Sequence, residues 1–315
     1  MKKILLNQYG SVDVMQMTET NIPSLKPQEV LIKTVAIGVN DPDIIIREYG
    51  PFPTMPKEIK PTLPHSLGQD FSGIVEAVGS KVKNVRVGDH VIGMSFMNTY
   101  SDYIVLDEEK TLALAKVPKE LDLLPLGGFL VSIATAYAAT VRDGQVKAGH
   151  RVLIHGGSGG VGNQAIQLAK NAGAYVIATG SGQGLDDMLA LGADQVIDYR
   201  KEDFTQILSN LDLVVNLTGQ ETLDKSYDLV KPGGIITSVN GAINQELTEK
   251  LGITGIYSMG FISPAELENV ISLYQEGKLR LLIDKTYPFD LDHIKQAHLD
   301  FQAGGNKGKK IITFN

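Results

Sequence analysis

The chain contains no cysteine. This absence excludes disulfide bonds, thiol nucleophiles, iron–sulfur ligation and every zinc site that uses cysteine. Positive charge is also scarce, because 29 Lys and Arg residues against 36 Asp and Glu residues give a net charge of −7. No basic run exceeds two residues before the C-terminal tail. We therefore expect no nucleic-acid partner.

Long apolar runs are almost missing as well. Only three apolar residues, Ile4 to Leu6, separate Lys3 from Asn7, which is too short for a secretion signal. The one long uncharged stretch, Leu123 to Val141, contains a proline and two adjacent glycines. A buried or domain-junction helix is favoured there over a membrane span. The sequence thus predicts a cytoplasmic protein without a membrane partner.

The 315 residues suggest two domains. Up to about residue 120 the pattern is β-rich, with apolar runs at 30–39, 71–79, 90–94 and 102–106. Between them, residues 50–64 contain five prolines, which predicts a long loop.

From residue 125 the pattern changes to short Val- and Ile-rich runs that alternate with helical segments. The runs are 151–155, 175–180, 195–199, 211–217 and 234–240. Such alternation predicts an α/β fold with a Rossmann-type, doubly wound parallel sheet. Two further helices, near 264–276 and 291–302, and a final strand, 310–314, follow it.

A glycine motif follows the first of these runs and opens a helical segment. Gly157, Gly159 and Gly162 satisfy G-x-G-x-x-G. In this context Gly157 is expected to allow a tight turn, Gly159 to let a pyrophosphate approach the backbone, and Gly162 to permit close helix packing. The motif predicts a dinucleotide site.

The end of the next run distinguishes between two dinucleotides. An NAD site usually has an acidic residue there, but this chain has Ser181 and no carboxylate before Asp186. Tyr199, Arg200 and Lys201 follow the third run and could bind a 2′-phosphate. NADP(H) is favoured as the cofactor, with NAD(H) as the alternative.

Short motifs in order along nearly the whole chain resemble the medium-chain dehydrogenase/reductase superfamily. They are Gly38-Val39-Asn40-Asp41-Pro42-Asp43, Gly68-Gln69-Asp70-Phe71-Ser72-Gly73, Gly88-Asp89-His90-Val91, Thr135-Ala136-Tyr137, Leu191-Gly192-Ala193-Asp194, Lys231-Pro232-Gly233-Gly234 and Gly308-Lys309. The resemblance implies a GroES-like catalytic domain at 1–124 and 263–315, and a Rossmann domain at 125–262.

Within this superfamily the chain most resembles the zinc-free quinone oxidoreductases, the relatives of zeta-crystallin. Asn40 and Gln69 occupy the positions of the cysteine and histidine that hold catalytic zinc in the alcohol dehydrogenases. His65 lies nearby, but a lone histidine is more typical of a structural or solvated residue than of a ligand. We expect no metal ligands and no zinc.

The resemblance also implies a set of cofactor-binding residues. Those beside the nicotinamide and its ribose are Asn40, Asp43, Thr135, Thr218, Gly219, Val239 and Asn240. Those around the pyrophosphate are Ser158, Gly159, Gly160 and Val161. Ser181 and Tyr199 match the 2′-phosphate positions, to which the residue pattern adds Arg200. In place of the basic residue and asparagine that often follow the serine, this chain has Gln183 and Gly184.

The expected function is zinc-independent hydride transfer from NADPH to a quinone or an α,β-unsaturated carbonyl, in a cleft between the domains. Without a metal, an acceptor that stabilises its own anion is favoured. Asn40 would orient the nicotinamide or the acceptor, and Tyr49 or water would deliver the proton. The alternatives are an enoyl-thioester or alkenal double-bond reductase, a non-catalytic NADPH-binding protein, and a zinc alcohol dehydrogenase.

The resemblance further suggests a homodimer joined through edge strands. The apolar segment from Ile253 to Ile262 is the candidate, because an exposed hydrophobic edge favours association. The alternative is an internal, buried strand.

Overall fold

The computed structural model describes residues 1–53, 55, 57 and 60–314. The chain forms two compact units. Unit 1 comprises Met1–Val131, Ile283–Gly304 and the chain from Lys309 on, and unit 2 comprises Ser132–Leu282 and Gly305–Gly308. The domain limits expected from the sequence, 125 and 262, remain a prediction.

Strands and helices are numbered in chain order within the described residues. The strands are β1 Lys2–Leu6, β2 Met15–Glu19, β3 Glu29–Gly38, β4 Asp70–Val78, β5 His90–Met94, β6 Tyr103–Asp107, β7 Ala113–Lys116, β8 Arg151–His155, β9 Tyr175–Gly180, β10 Gln195–Asp198, β11 Leu211–Asn216, β12 Val230–Ser238, β13 Thr254–Tyr257, β14 Ile283–Pro288 and β15 Lys309–Thr313. The helices are α1 Asp41–Tyr49, α2 Leu123–Leu126, α3 Phe129–Tyr137, α4 Gly160–Asn171, α5 Gly184–Ala190, α6 Phe204–Ile207, α7 Gln220–Asp224, α8 Gln245–Leu251, α9 Pro264–Gln275 and α10 Leu291–Gln302.

Unit 1 is β-rich, as the sequence predicted. Its main sheet has the order β14-β15-β3-β4-β5-β7, with β6 also pairing with β3, and β1 pairs separately with β2. Ile32, Phe71 and Tyr100 lie in its buried core. The described residues of the proline-rich segment 50–64 form no helix or strand, whereas positions 54, 56, 58 and 59 lie outside the described residues.

Unit 2 contains a six-stranded parallel sheet in the order β10-β9-β8-β11-β12-β13. The strand order reverses between β8 and β11, where doubly wound sheets bind ligands beyond the carboxyl ends of their strands. The predicted α/β fold with a doubly wound sheet is confirmed. β13 lies at the edge of the sheet and is shorter than the predicted segment 253–262.

The uncharged stretch 123–141 is not one helix. α2 ends before Gly127, α3 begins after Gly128, and a wider helical turn spans Ala138–Arg142. A Cβ atom on Gly127 would lie 2.5 Å from the Ala36 carbonyl carbon, and one on Gly128 would lie 2.5 Å from Ile311 Cδ1. These glycines therefore allow the chain to pack directly on β3 and β15. Among the described residues, no helix is both long and apolar enough to cross a membrane.

The C-terminal helices match the predicted ones. Ser263 and Glu266 form reciprocal bonds around the start of α9, which begins at Pro264. Asp290 caps α10 by accepting from the His293 backbone N–H at 3.0 Å. The final strand, β15, is also confirmed.

Candidate functional site

The glycine motif forms the turn between β8 and α4. Gly156 has φ +75°, so the residue in the left-handed conformation is Gly156 and not Gly157. Gly157 is needed for packing, since a Cβ there would lie 2.9 Å from Ala178 Cβ. Gly162 has the role expected of it, because a Cβ would lie 2.7 Å from Gly157 Cα.

Gly159 leaves the start of α4 open. It occupies the N-cap position and offers no side chain to the helix, so the first backbone N–H groups have no side-chain cap. A Cβ atom on Gly159 would approach only the Gly156 carbonyl oxygen, at 3.6 Å. The N-terminus of a 12-residue helix is therefore accessible to an anion.

A pocket of about 1030 Å³ adjoins this turn, and all its lining residues belong to unit 2. Six of the predicted cofactor-binding residues line it: Ser158, Gly159, Ser181, Tyr199, Arg200 and Thr218. Gly160 and Val161 lie in the first turn of α4, Gly219 caps α7, Val239 and Asn240 follow β12, and Thr135 lies on α3. The structure thus brings five of the seven predicted phosphate-side residues to one pocket, whereas Gly160 and Val161 are not among its lining residues.

Ser181 and Tyr199 meet at the carboxyl ends of β9 and β10. The Ser181 hydroxyl donates to the Tyr199 hydroxyl at 3.5 Å, and the tyrosine side chain is about half exposed. The Arg200 guanidinium lies 5.9 Å from the centre of the Tyr199 ring. The hydrogen bond from Ser181, with a smaller contribution from Arg200, lowers the pKa of Tyr199.

His155 forms part of the pocket wall in its neutral state. Burial lowers its pKa to about 3. The Ser226 hydroxyl donates to the Thr222 carbonyl at 2.6 Å, so it must accept from His155 Nε2–H at 3.1 Å. His155 Nδ1 then accepts from the Thr179 hydroxyl at 3.0 Å. This directed chain links β8, β9 and the segment after α7.

Asn216, which pairs with His155 in the register of β11 and β8, positions the pocket residue Thr218, and the sequence analysis missed it. Its Oδ1 accepts from the Thr218 hydroxyl at 2.8 Å, and its Nδ2 donates to the Ser238 hydroxyl at 3.2 Å. Its backbone carbonyl accepts from the Val239 N–H at 3.1 Å. Its position at the end of β11, beside the strand-order reversal, was the available signal.

In unit 1, the predicted residues Asn40 and Asp43 belong to a buried cluster with Asp70 and Lys309, hereafter the Asn40 cluster. Asn40 Nδ2 donates to Asp70 Oδ1 at 2.8 Å. Lys309 Nζ donates to Asn40 Oδ1 at 2.5 Å and to the Val39 carbonyl at 3.1 Å. The Asn40 amide is therefore held in one orientation.

Asp43 completes the cluster through the backbone. Its carboxylate accepts from the N–H groups of Asn40 at 2.9 Å and Gly68 at 3.0 Å. Burial raises the pKa of Asp43 to about 7, and the negative charge of Asp70 adds to this. Burial also lowers the pKa of Lys309. The Lys309 ammonium group thus interacts electrostatically with both carboxyl groups, while its hydrogen bonds go to Asn40 and to the Val39 carbonyl.

Tyr49, the predicted proton donor, ends α1 and is 76% exposed. A hydrogen bond with Glu48 raises its pKa. His65 is buried, with Nδ1 3.0 Å from the Ser66 carbonyl oxygen, which is a structural role. Within the part of the chain that the structure describes, no three acidic or histidine side chains converge as metal ligands do.

Two family models match the chain. The alcohol dehydrogenase GroES-like domain matches residues 26–141, and the zinc-binding dehydrogenase model matches residues 191–312. The β-rich unit 1 is accordingly GroES-like.

Individual relatives match almost the entire chain. A 2-methylene-furan-3-one reductase from Solanum lycopersicum is 34% identical over 99% of this chain and 79% of its own length. A quinone oxidoreductase from Sus scrofa is 31% identical over 99% of this chain and 97% of its own length. The solved structure of an Escherichia coli quinone oxidoreductase complexed with NADPH has a TM-score of 0.88 and 26% identity, and the match covers 99% of this chain and 100% of that one.

Proposed function

The chain belongs to the medium-chain dehydrogenase/reductase superfamily as an oxidoreductase of the quinone oxidoreductase type, and on that premise we propose that it reduces quinones or α,β-unsaturated carbonyls with NADPH. The proposal rests on the residues that line the unit 2 pocket at the carboxyl ends of β9 and β10. Ser181, Tyr199 and Arg200 stand there where an NAD site would have a carboxylate.

The residues of unit 2 fit a dinucleotide with a 2′-phosphate. The open N-terminus of α4 would receive the pyrophosphate, and Ser158, Gly159, Gly160 and Val161 would surround it. The hydroxyl groups of Ser181 and Tyr199 would donate to the 2′-phosphate, beside the positive charge of Arg200. When bound, NADPH supplies the hydride.

The chain's other predicted residues would position the reacting groups. We propose that Asn40, Asp43, Thr135, Thr218, Gly219, Val239 and Asn240 border the nicotinamide and its ribose. Asn40 acts as a rigid support, because Asp70 and Lys309 fix both ends of its amide. A quinone or enone suits such a site, since it delocalises the charge that hydride transfer places on it. Tyr49 or water would deliver the proton.

We propose that catalysis does not use zinc. Asn40 and Gln69 replace the cysteine and histidine that would hold the metal, and the Lys309 ammonium group lies against Asn40 Oδ1. A cation so placed repels a divalent ion. Metal analysis of the purified active enzyme tests this point, and one zinc per chain would overturn it.

The test of the proposed function measures cofactor binding and turnover separately. Dissociation constants for NADPH and NADH are expected to differ by about tenfold or more in favour of NADPH. NADPH oxidation is then followed with a panel of quinones, enones, enals and simple aldehydes, and quinones or enones are expected to react fastest. Tighter NADH binding would refute the cofactor assignment. Tight NADPH binding without turnover would favour a non-catalytic role.

A specific observation favours enones as the second acceptor class. The relative from Solanum lycopersicum is named for the reduction of a furanone, and it is as similar to this chain as the quinone oxidoreductase is. Turnover with enones but not quinones would identify an alkenal or enone reductase.

We also propose a cytoplasmic homodimer joined at β13. Tyr257, Met259 and Phe261 are exposed apolar side chains on or after this edge strand. Arg142 holds the segment by donating to the carbonyls of Phe261 at 2.9 Å and Met259 at 3.0 Å. Sedimentation should report a dimer, and Met259→Glu should shift it toward monomer. A wild-type monomer at micromolar concentration would contradict the proposal.

A further inference from the structure

The short loop Gly305–Gly308 belongs to unit 2, although the chain on both sides of it belongs to unit 1. Gly308 forms an isolated bridge with Gly159 of the glycine turn. Gly308 has φ +109°, and a Cβ there would lie 2.7 Å from the Leu282 carbonyl carbon. Only glycine fits, so the loop is fixed beside the phosphate-binding turn.

Lys307 extends from this loop to the wall of the pocket. Its Nζ donates a hydrogen bond to Gln183 Oε1, and Gln183 lies two residues after Ser181. An ammonium group has three donors, so two remain after this bond. Because the amide of Gln183 carries no charge, it places the lysine without neutralising it.

Four basic residues line the pocket, and two of them have a carboxylate partner. Lys201 lies 3.4 Å from Asp198, and Lys225 lies 2.7 Å from Glu221. Arg200 and Lys307 have no carboxylate partner among the described residues. The acidic lining residues Glu202 and Asp203 accept from the backbone N–H groups of Asp198 and Thr205 instead. Two cations without an ion-pair partner in the described chain therefore line the pocket that also contains the hydroxyl groups of Ser181 and Tyr199.

We propose that Lys307 is a specificity-determining residue that binds the 2′-phosphate of NADPH together with Arg200. Two cations and two hydroxyl donors match the charge and the three oxygens of a phosphate monoester. The hydrogen bond to Gln183, two residues after Ser181, is the reason to assign the ammonium group to the 2′-phosphate and not to the pyrophosphate at α4. This inference rests on the proposed NADPH preference.

The experiment compares two ligands that differ only in the 2′-phosphate, adenosine 2′,5′-bisphosphate and adenosine 5′-monophosphate. Calorimetric titration of the full-length Lys307→Met variant should show about tenfold weaker binding of the bisphosphate. Binding of the monophosphate should change less than about twofold. Lys307→Arg should recover most of the loss, and Lys307→Gln provides a second neutral variant.

Lys225→Met is the matched control, because it removes a lysine of the same pocket that is already paired with Glu221. The ratio of its affinity for the bisphosphate to its affinity for the monophosphate should equal that of the wild-type protein. If this ratio is unchanged in both Lys307→Met and Lys307→Gln, or if both ligands lose affinity equally, the proposed role of Lys307 is wrong. The proposed NADPH preference would be unaffected by that result. Equal affinity of the wild-type protein for the two ligands would overturn the NADPH preference, and the role of Lys307 with it.

Discussion

The two units place charge in opposite ways. In unit 1, the charged groups of the Asn40 cluster are almost fully buried and form hydrogen bonds to the Asn40 amide and to backbone groups. In unit 2, Arg200 and Lys307 line an open pocket without a carboxylate partner in the described chain. Internally satisfied charges hold backbone segments in place, whereas uncompensated charges are available to a ligand. The comparison yields four predictions, from the largest expected effect to the smallest.

Removing the cation from the Asn40 cluster should cost the most. Lys309→Met leaves Asp43 and Asp70 buried without the positive charge that lies near them, and removes the hydrogen bonds from Lys309 to Asn40 and Val39. The substitution should lower the free energy of unfolding by about 3–5 kcal/mol. Urea unfolding measures the loss. The double variant Lys309→Met/Asp70→Asn should recover part of it, because one buried negative charge is then gone. A loss of less than about 1 kcal/mol would contradict the prediction, because it would show that the Lys309 ammonium group does little to stabilise the buried carboxyl groups.

The second prediction separates positioning from binding. Asn40→Ala removes the amide between Asp70 and Lys309 and should lower kcat by about a hundredfold through misplacement of the reacting groups. The NADPH dissociation constant should change less than about threefold, because the residues proposed to contact the phosphates lie in unit 2. Steady-state kinetics and fluorescence titration measure the two quantities. Unchanged turnover would remove Asn40 from the mechanism.

Acid should affect the units differently. The pKa of His155 in unit 2 falls from 6.5 to about 3 on folding, so the stability it contributes is present above pH 6.5 and is lost as the pH falls. In unit 1, the pKa of His298 also falls to about 3 through burial, but the pKa of Asp43 rises to about 7. Asp43 gives stability at low pH that is lost as the pH rises toward 7, so these two groups oppose each other.

The core of unit 2 should therefore lose on average about 1.1 kcal/mol of opening free energy per pH unit between pH 6.5 and 5, and unit 1 less than half of that. Amide exchange in β8 and β9 compared with β3 and β4, corrected for intrinsic rates, measures the difference. His155→Gln should remove the slope in unit 2. Equal slopes in the two units of the wild-type protein would refute the assignment.

The smallest effect is expected for the exposed charge of the pocket. Arg200→Gln should raise the NADPH dissociation constant about tenfold and leave that for NADH within about twofold. Lys201→Gln is the control, because Lys201 is paired with Asp198. The effect of Arg200 should shrink with added salt, as for any exposed charge. Equal losses for both cofactors would place Arg200 away from the 2′-phosphate.

The sequence predicted most strands of both sheets and the glycine turn, since apolar runs and the G-x-G-x-x-G spacing are local signals, but it did not predict β7 or β14. It did not predict the break at Gly127 and Gly128, because their close neighbours, Ala36 and Ile311, are far away in the chain. Lys307 was missed for the same reason. Its tether, Gln183, lies 124 residues earlier, and only the folded chain brings the two together.

The order of chain synthesis has a consequence for this pocket. Nearly all of unit 2 is complete once Leu282 has been made, yet Gly305–Gly308 is added only after β14 and α10 of unit 1. A nascent chain that ends before residue 305 lacks the Gly159–Gly308 bridge and the Lys307 ammonium group. If Lys307 binds the cofactor as proposed, full affinity therefore requires the chain beyond residue 304, and a fragment that stops at Leu282 should bind NADPH more weakly than the whole chain.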